Sequence, residues 1–517
     1  HLFQTFCWHG WTQEFDWKMI SKGNKPNIIL LMPDQLRADF LGCYGASWIN
    51  TPNIDHLASN GVLYKNAVSP SPICIPARAS LLTGHNALST GVLSNNFWLR
   101  PDHDSCGQKS FTKILADEGY HTEAIGKMHF IPWDHDEGFV HRVIAEDKRH
   151  IHIRDDYAEY LEEHGLRKLS GPEEPGYHDG KMASISSIPL EHQIDNWIGN
   201  KAVEFINSYP HDKPFFLWVG FAGPHDPYNP PREIADQLKD LVVPECIPAT
   251  DESNAFRDSF IKSHLEGSAQ TDFSEFTKEA KDKIRRHYAG LINIIDQQVG
   301  DILKVLDSIP SNRETVVIFT SDHGDFLGDF DFVGKALFHQ PSIRIPLIVS
   351  GGSFPVKESD SLVALTDLYS SILSLAGLEN YVSQDSYKLP ELSQDGKRNF
   401  VLGSTGAGVM LLKDHWKLCK YKNGVRTLHN IMEDPLEQNN IYHNPDFKNF
   451  YNELEEILMF EVLQSVIDGH SEKTYPYMTM TPDHPGHQPG WIRPYPNNIW
   501  SDKFEGIDGW GKSGMPS

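Results

Sequence analysis

A chain of 517 residues, 39% of them hydrophobic, is long enough for one large domain and a smaller one, each with a buried core. Its formal charge of −24 repels phosphate backbones and argues against a nucleic-acid partner, and no run approaches the ~20 apolar residues of a bilayer helix. Cys7, Cys43, Cys74, Cys106, Cys246 and Cys419 show no C-x-x-C spacing, which disfavours a structural zinc site or a dense disulfide scaffold.

Residues 1–25 read as an N-terminal extension. The stretch His1 to Lys18 is aromatic but lacks the basic start and continuous apolar core of a secretory signal. The expectation is a cytoplasmic protein, or a periplasmic or secreted one if a leader has been removed. From Pro26 short apolar runs alternate with amphipathic stretches, the pattern of an α/β domain with a largely parallel sheet covered by helices. Strands are predicted at Asn27 to Met32, Thr122 to Ile125, Pro214 to Phe221, Thr315 to Phe319 and Ile345 to Val349. Ser110 caps a helix running to Asp117, which Gly119 ends, and Glu279 to Leu306 repeats apolar residues at helical spacing.

The polar, histidine-rich stretch 146–189 has its breakers at Ser170-Gly171-Pro172 and reads as an insertion over one end of the sheet. The catalytic domain is taken as 26–395. After it, 396–517 reads as a smaller α+β subdomain, with strands at Phe400 to Leu402, Val409 to Leu412 and Trp416 to Tyr421 and a helix over Asp446 to Ser465, followed by an irregular tail. Trp491, Tyr495, Trp500 and Trp510 in that tail are candidates for a lid.

Ligands of an open parallel sheet collect at the carboxyl ends of its strands. Asp34 and Gln35, Lys127 and His129, His225, and Asp322 and His323 each follow a predicted strand. Two carboxylates, an amide oxygen and an imidazole suit one hard divalent cation, while Lys127, His129, His225 and Lys335 suit a dianionic head group. Alone, each pair is an ordinary strand-end turn. Their shared position in the topology is the signal.

The segment Ser71-Pro-Ile-Cys-Ile-Pro-Ala-Arg-Ala-Ser-Leu-Leu-Thr-Gly84 carries Cys74-x-Pro76-x-Arg78. It resembles the signature of the sulfatase family, in the alkaline phosphatase superfamily, in which the cysteine is converted to formylglycine. The resemblance continues through Asn27 to Gln35, Gly126-Lys-Met-His129, Gly223-Pro-His225, Ser321-Asp-His-Gly324 with Gly334-Lys335, and Trp416-Lys-Leu with Leu428 to Pro435. It implies an alkaline-phosphatase-like fold. It also implies one divalent metal on Asp34, Gln35, Asp322, His323 and residue 74, with Ca2+ expected and Mn2+ as the alternative.

The same resemblance implies sulfate-ester hydrolysis, with a formylglycine-generating maturation enzyme as a partner. Hydrated formylglycine at 74 is then the nucleophile and Arg78 holds its diol. Lys127 and Lys335 offset the sulfuryl charge, His225 or Lys335 protonates the leaving alcohol, and His129 takes the second hydroxyl proton. Many sulfatases carry a second aspartate where this chain has Gln35, and the Asp-Gln form also resembles phosphonate monoester hydrolases and choline sulfatases. A phosphonate or phosphodiester hydrolase and a non-catalytic anion-binding homologue therefore stand as alternatives. His150, His152 and Arg154 in the insertion are candidates for binding a sulfated carbohydrate or aryl leaving group, and a homo-oligomer is compatible with the chain.

Overall fold

Asn27–Leu31 (β1) is Asn-Ile-Ile-Leu-Leu and buried throughout, which is how a central parallel strand reads when both faces are covered. The computed structural model describes residues 25–210, 212–308, 313–393 and 398–469. The remaining strands are β2 (Gly61–Val68), β3 (His121–Gly126), β4 (His141–Ile144), β5 (Phe215–Gly220), β6 (Thr315–Thr320), β7 (Leu347–Ser350), β8 (Lys357–Ala364), β9 (Phe400–Thr405), β10 (Gly408–Lys413), β11 (Trp416–Tyr421) and β12 (Arg426–Asn430). Among the described residues, the first eight form one sheet in the order β4-β3-β5-β1-β6-β7-β2-β8 and the last four form another.

Alternate residues of β1 serve two cores, as the period of a strand requires. Ile29 and Leu31 face the long Lys278–Ser308 helix and the Ile194–Ser208 helix through Ile295, Val299, Trp197 and Ile198. Ile28 and Leu30 face the Cys74–Thr83, Phe111–Asp117 and Asp367–Leu375 helices through Leu81, Phe111 and Leu368.

Pairing along the sheet is parallel except at β7, which runs antiparallel to both β6 and β2. The apolar run Ile345 to Val349 shows a buried strand, but periodicity says nothing of its direction. Two reversals at β7 return β2 to the direction of β6. Its end, and the helix that starts at Cys74 beyond it, therefore lie on the same edge as the ends of β1, β3, β5 and β6.

Ser110 occupies the N-cap position, but its hydroxyl donates to the Glu137 carbonyl at 3.4 Å instead of capping the helix. The C-terminal helix runs Lys448–Gly469 and packs Leu454 and Leu458 on Leu402, Leu411, Leu418 and Leu428 of the small sheet. That sheet buttresses the first one. Ser404 N donates to Pro70 O at 2.9 Å, Ser71 Oγ to Ser404 O at 2.9 Å, and Thr405 Oγ1 to Ala336 O at 3.2 Å, so β9 holds the loops carrying Cys74 and Lys335. The N-terminal segment 1–24 and the tail aromatics Trp491, Tyr495, Trp500 and Trp510 lie outside the described residues.

Candidate active site

The Cys74–Thr83 helix is buried on every side, and its first residue sits at the positive end of the helix dipole, where an anion is favoured. Arg78 lies one turn after Cys74 on the same face. Fully buried, its guanidinium donates to Asp322 Oδ2 at 3.0 Å, Asp34 Oδ2 at 3.2 Å and the Lys127 carbonyl at 2.9 Å. One arginine thus ties the ends of β1, β3 and β6 beneath the cysteine.

One ligand atom each from Asp34, Cys74, Asp322 and His323 can be chosen so that all lie within 4.8 Å of one another. His323 Nε2 stands 3.3 Å from Cys74 Sγ and 3.8 Å from Asp34 Oδ1, while its Nδ1–H donates to the Gly324 carbonyl at 3.0 Å. This second bond turns the Nε2 lone pair inward, as in ligating histidines. Burial pushes the His323 imidazole down to about 4, so it is neutral and able to ligate. For Asp34 burial acts upward, but Lys127, His225, Lys335 and Arg78 hold its carboxyl well below the usual range.

Gln35 reaches the cluster in a left-handed conformation, φ 69°. Its amide donates to Asp325 Oδ2, and its Oε1 accepts from Lys335 Nζ at 2.6 Å. The same ammonium lies 2.9 Å from Cys74 Sγ, so this corner already holds a positive charge against the expected donors. Two carboxylates, an imidazole and an amide oxygen around it fit one divalent cation.

Lys127 is buried with its Nζ 2.8 Å from both Asp34 Oδ2 and Asp147 Oδ2. His225 accepts at Nε2 from Lys335 Nζ at 2.8 Å and lies 3.3 Å from Arg149, while its Nδ1–H donates to the Asp226 carbonyl at 2.8 Å. Burial, then the charge of Lys335, lowers the His225 pKa well below the ordinary value. His129, at φ 61°, is held through its backbone N–H on Glu146 at 2.9 Å. Its Nδ1 is buried without a partner, as is that of His150, whose ring centroid lies 5.6 Å away. Burial and then Asp34 push the Cys74 thiol up to about 11, which keeps it protonated near neutrality.

The structure does not bring every predicted residue together. His150 meets His129, and His152 follows at 5.9 Å from His150. Arg154 turns to the surface, where it pairs with Glu159 and Glu162. The arginine that this stretch brings to the cluster, beside Arg78, is Arg149, which bridges Asp147 at 2.9 Å and Asp226 at 3.0 Å. Asp147 and Arg149 follow β4 as Lys127 follows β3, so the strand-end rule reaches them once β4 is recognised. Asp325 and Tyr228, whose hydroxyl donates to Asp325 Oδ2 at 2.6 Å, were likewise not singled out from sequence.

The sulfatase family model matches residues 26–378. An arylsulfatase of Clostridium perfringens (strain 13 / Type A) is 28% identical over 505 residues, covering 88% of this chain and 99% of that protein. The phosphonate monoester hydrolase of Agrobacterium radiobacter superposes with a TM-score of 0.70 at 20% identity, over 85% of this chain and 96% of that one. A structure in complex with its substrate D-glucosamine-2-N,6-O-disulfate superposes with a TM-score of 0.66 at 21% identity, over 87% and 100%. At these identities the structural matches establish the shared alkaline-phosphatase-like fold. The family match spans most of the chain, and this protein belongs to the sulfatase family, the hydrolases of sulfate esters.

Proposed function

We propose that this chain hydrolyses sulfate esters of a carbohydrate or aryl alcohol, with Cys74 matured to formylglycine and a divalent cation held by Asp34, Gln35, Asp322, His323 and residue 74. The observation that carries the reading is the approach of four candidate ligand atoms within 4.8 Å beside the Lys335 ammonium. Ca2+, or Mn2+ in its place, is the cation proposed for this oxygen-rich set. When bound, it supplies a Lewis acid that lowers the pKa of a hydroxyl and polarises the ester. A protonated thiol at Cys74 is a poor nucleophile, which is why maturation at this position matters.

The chain's own residues divide the remaining work. Arg78 is committed to Asp34, Asp322 and Lys127 O, so its role is to fix the carboxylates. Lys127, fully buried, fixes Asp34 from the other side. Lys335 and Arg149 are the less buried cations and face the dianionic head group. The Lys335–His225 hydrogen bond holds a proton for the departing alcohol oxygen, and the unpartnered nitrogen of His129 takes one from the side chain at 74. His150 and His152 contact the alcohol beyond the sulfate, and a maturation enzyme is required upstream.

The Clostridium perfringens relative is named an arylsulfatase, and one structural neighbour takes D-glucosamine-2-N,6-O-disulfate as its substrate. Gln35 and the fold match to a phosphonate monoester hydrolase favour a second reading, in which a phosphonate ester enters the same site. Initial rates on aryl sulfate, aryl phosphonate and aryl phosphodiester with one leaving group decide between them. The sulfatase reading expects the highest kcat/KM on the sulfate, and a preference for either phosphorus ester overturns it.

A further inference from the structure

Away from the Cys74 cluster, the loop that leaves β3 after His129 returns to the sheet at β4, and on its way it brings His135 and Glu137 against His103. Both oxygens of the buried Glu137 carboxylate face imidazole nitrogens: Oε1 lies 3.3 Å from His103 Nε2, and Oε2 lies 3.1 Å from His135 Nε2. The three candidate ligand atoms lie within 4.8 Å of one another. A tetrahedral ion with bonds of ~2.0–2.1 Å holds neighbouring ligands about 3.3 Å apart, and each imidazole already stands near that distance from one Glu137 oxygen.

The supports around it are those a ligand set needs. His103 Nδ1–H donates to the Gln108 carbonyl at 2.9 Å, which fixes the ring and directs Nε2 at the cluster. Trp98 Nε1–H donates to Glu137 Oε2 at 3.0 Å, and Thr112 Oγ1 donates to the Glu137 carbonyl at 2.6 Å, holding that residue at φ 47°. His103 and Glu137 are buried, whereas His135 is exposed and gives an ion a way in.

We propose that His103, His135 and Glu137 form a second metal site, which takes Zn2+ or a similar transition-metal ion. Two imidazoles and one carboxylate suit that class of ion and not Ca2+, which prefers oxygen donors throughout. Binding exchanges the Nε2 protons of the two rings for the ion and leaves an open position for water. The site is a clip. It ties the turn at His103–Cys106 to the loop that carries His129 at one end and leads through β4 to Asp147 at the other. Cysteine spacing gives no sign of it, because none of its ligands is a cysteine.

The test is Co2+ binding to the full chain after chelator dialysis, followed by visible spectroscopy and calorimetry. The expected result is one equivalent beyond that held by the Asp34 cluster, retained in Asp34→Asn, with the intense visible bands of four- or five-coordinate cobalt(II), together with a higher unfolding temperature. His135→Ala, at an exposed position, should lose those bands and weaken this binding at least about tenfold. Glu137→Gln should do the same, while Asp34→Asn should retain them. Identical bands and stoichiometry in the wild type and His135→Ala, or an absence of binding outside the Asp34 cluster, would overturn the proposal.

Discussion

Gln35 presents its carbonyl oxygen to the candidate metal cluster because its amide is held elsewhere, on Asp325, which Tyr228 also holds through its hydroxyl. Asp325 also accepts the Leu327 and Gly334 backbone N–H groups at 3.0 and 2.7 Å. Replacing Asp325 by Asn puts an amide where donors already point and frees Gln35 to rotate. We expect Asp325→Asn to weaken divalent-cation affinity by about 10–100-fold, measured by calorimetric titration after chelation, with the fold retained. Arg149 is the second residue to test. Arg149→Lys keeps the charge but loses the fork that spans Asp147 and Asp226, so kcat/KM should fall by about tenfold or more. Neither Asp325 nor Arg149 stands out in the sequence, since a buried aspartate after a strand and an arginine in a polar insertion have many ordinary uses. Their positions become meaningful only through partners far along the chain. Arg154 shows the converse, because its charge is spent on two surface glutamates of its own segment.

At the level of elements, the site is legible wherever a strand is strongly apolar. The strands β1, β5 and β6 announce themselves by their apolar runs and β3, His-Thr-Glu-Ala-Ile-Gly, by the helix stop at Gly119 before it, and the residues after them, Asp34, Lys127, His225 and Asp322, follow from the strand-end rule. At the sheet edge β4 has only four residues, His-Arg-Val-Ile, and just its last is buried, so nothing in its composition marks it as a strand. Asp147 and Arg149 beyond it are therefore not legible as strand-end residues. β2 and β8 also went unread, since β2 carries Lys65 and Asn66 and β8 is largely charged or polar. Gly126 ends β3 at φ 98°, where an added Cβ would lie 2.1 Å from the Gly220 carbonyl oxygen. Gly126→Ala must therefore shift either the end of β3 or that of β5. It should lower the unfolding temperature and displace Lys127, with a larger loss in kcat than the mild substitution suggests. Unchanged kcat and melting temperature would show that the close approach is not required.

Across the whole molecule, the small sheet supports the loops on which chemistry depends. Lys417 of β11 is fully buried between the Glu437 carboxylate and the Phe338 carbonyl, just beyond Lys335. Lys417→Ala leaves the buried Glu437 carboxylate without its ion-pair partner, with the Gln340 backbone N–H still on it, at a cost of about 3–5 kcal/mol. It should lower thermal stability and activity together, through the Phe338 carbonyl that Lys417 holds three residues beyond Lys335. The net charge of −24 acts at longer range. An anionic ester approaches an acidic protein, and the screening length falls from ~30 Å at 0.01 M salt to ~8 Å at 0.15 M. kcat/KM on a sulfate ester should therefore rise over that interval. A fall would mean that the local cations Lys335 and Arg149 govern the approach.

On the proposed chemistry residue 74 acts as formylglycine and not as a thiol. The measurement is the mass of the Cys74 peptide, taken on preparations made with and without a maturation enzyme, alongside turnover of an aryl sulfate by each. Conversion replaces sulfur and two hydrogens by one oxygen, and turnover should scale with the converted fraction and vanish in Cys74→Ala. Full turnover from a preparation whose Cys74 remains an unmodified thiol would rule out formylglycine as the nucleophile.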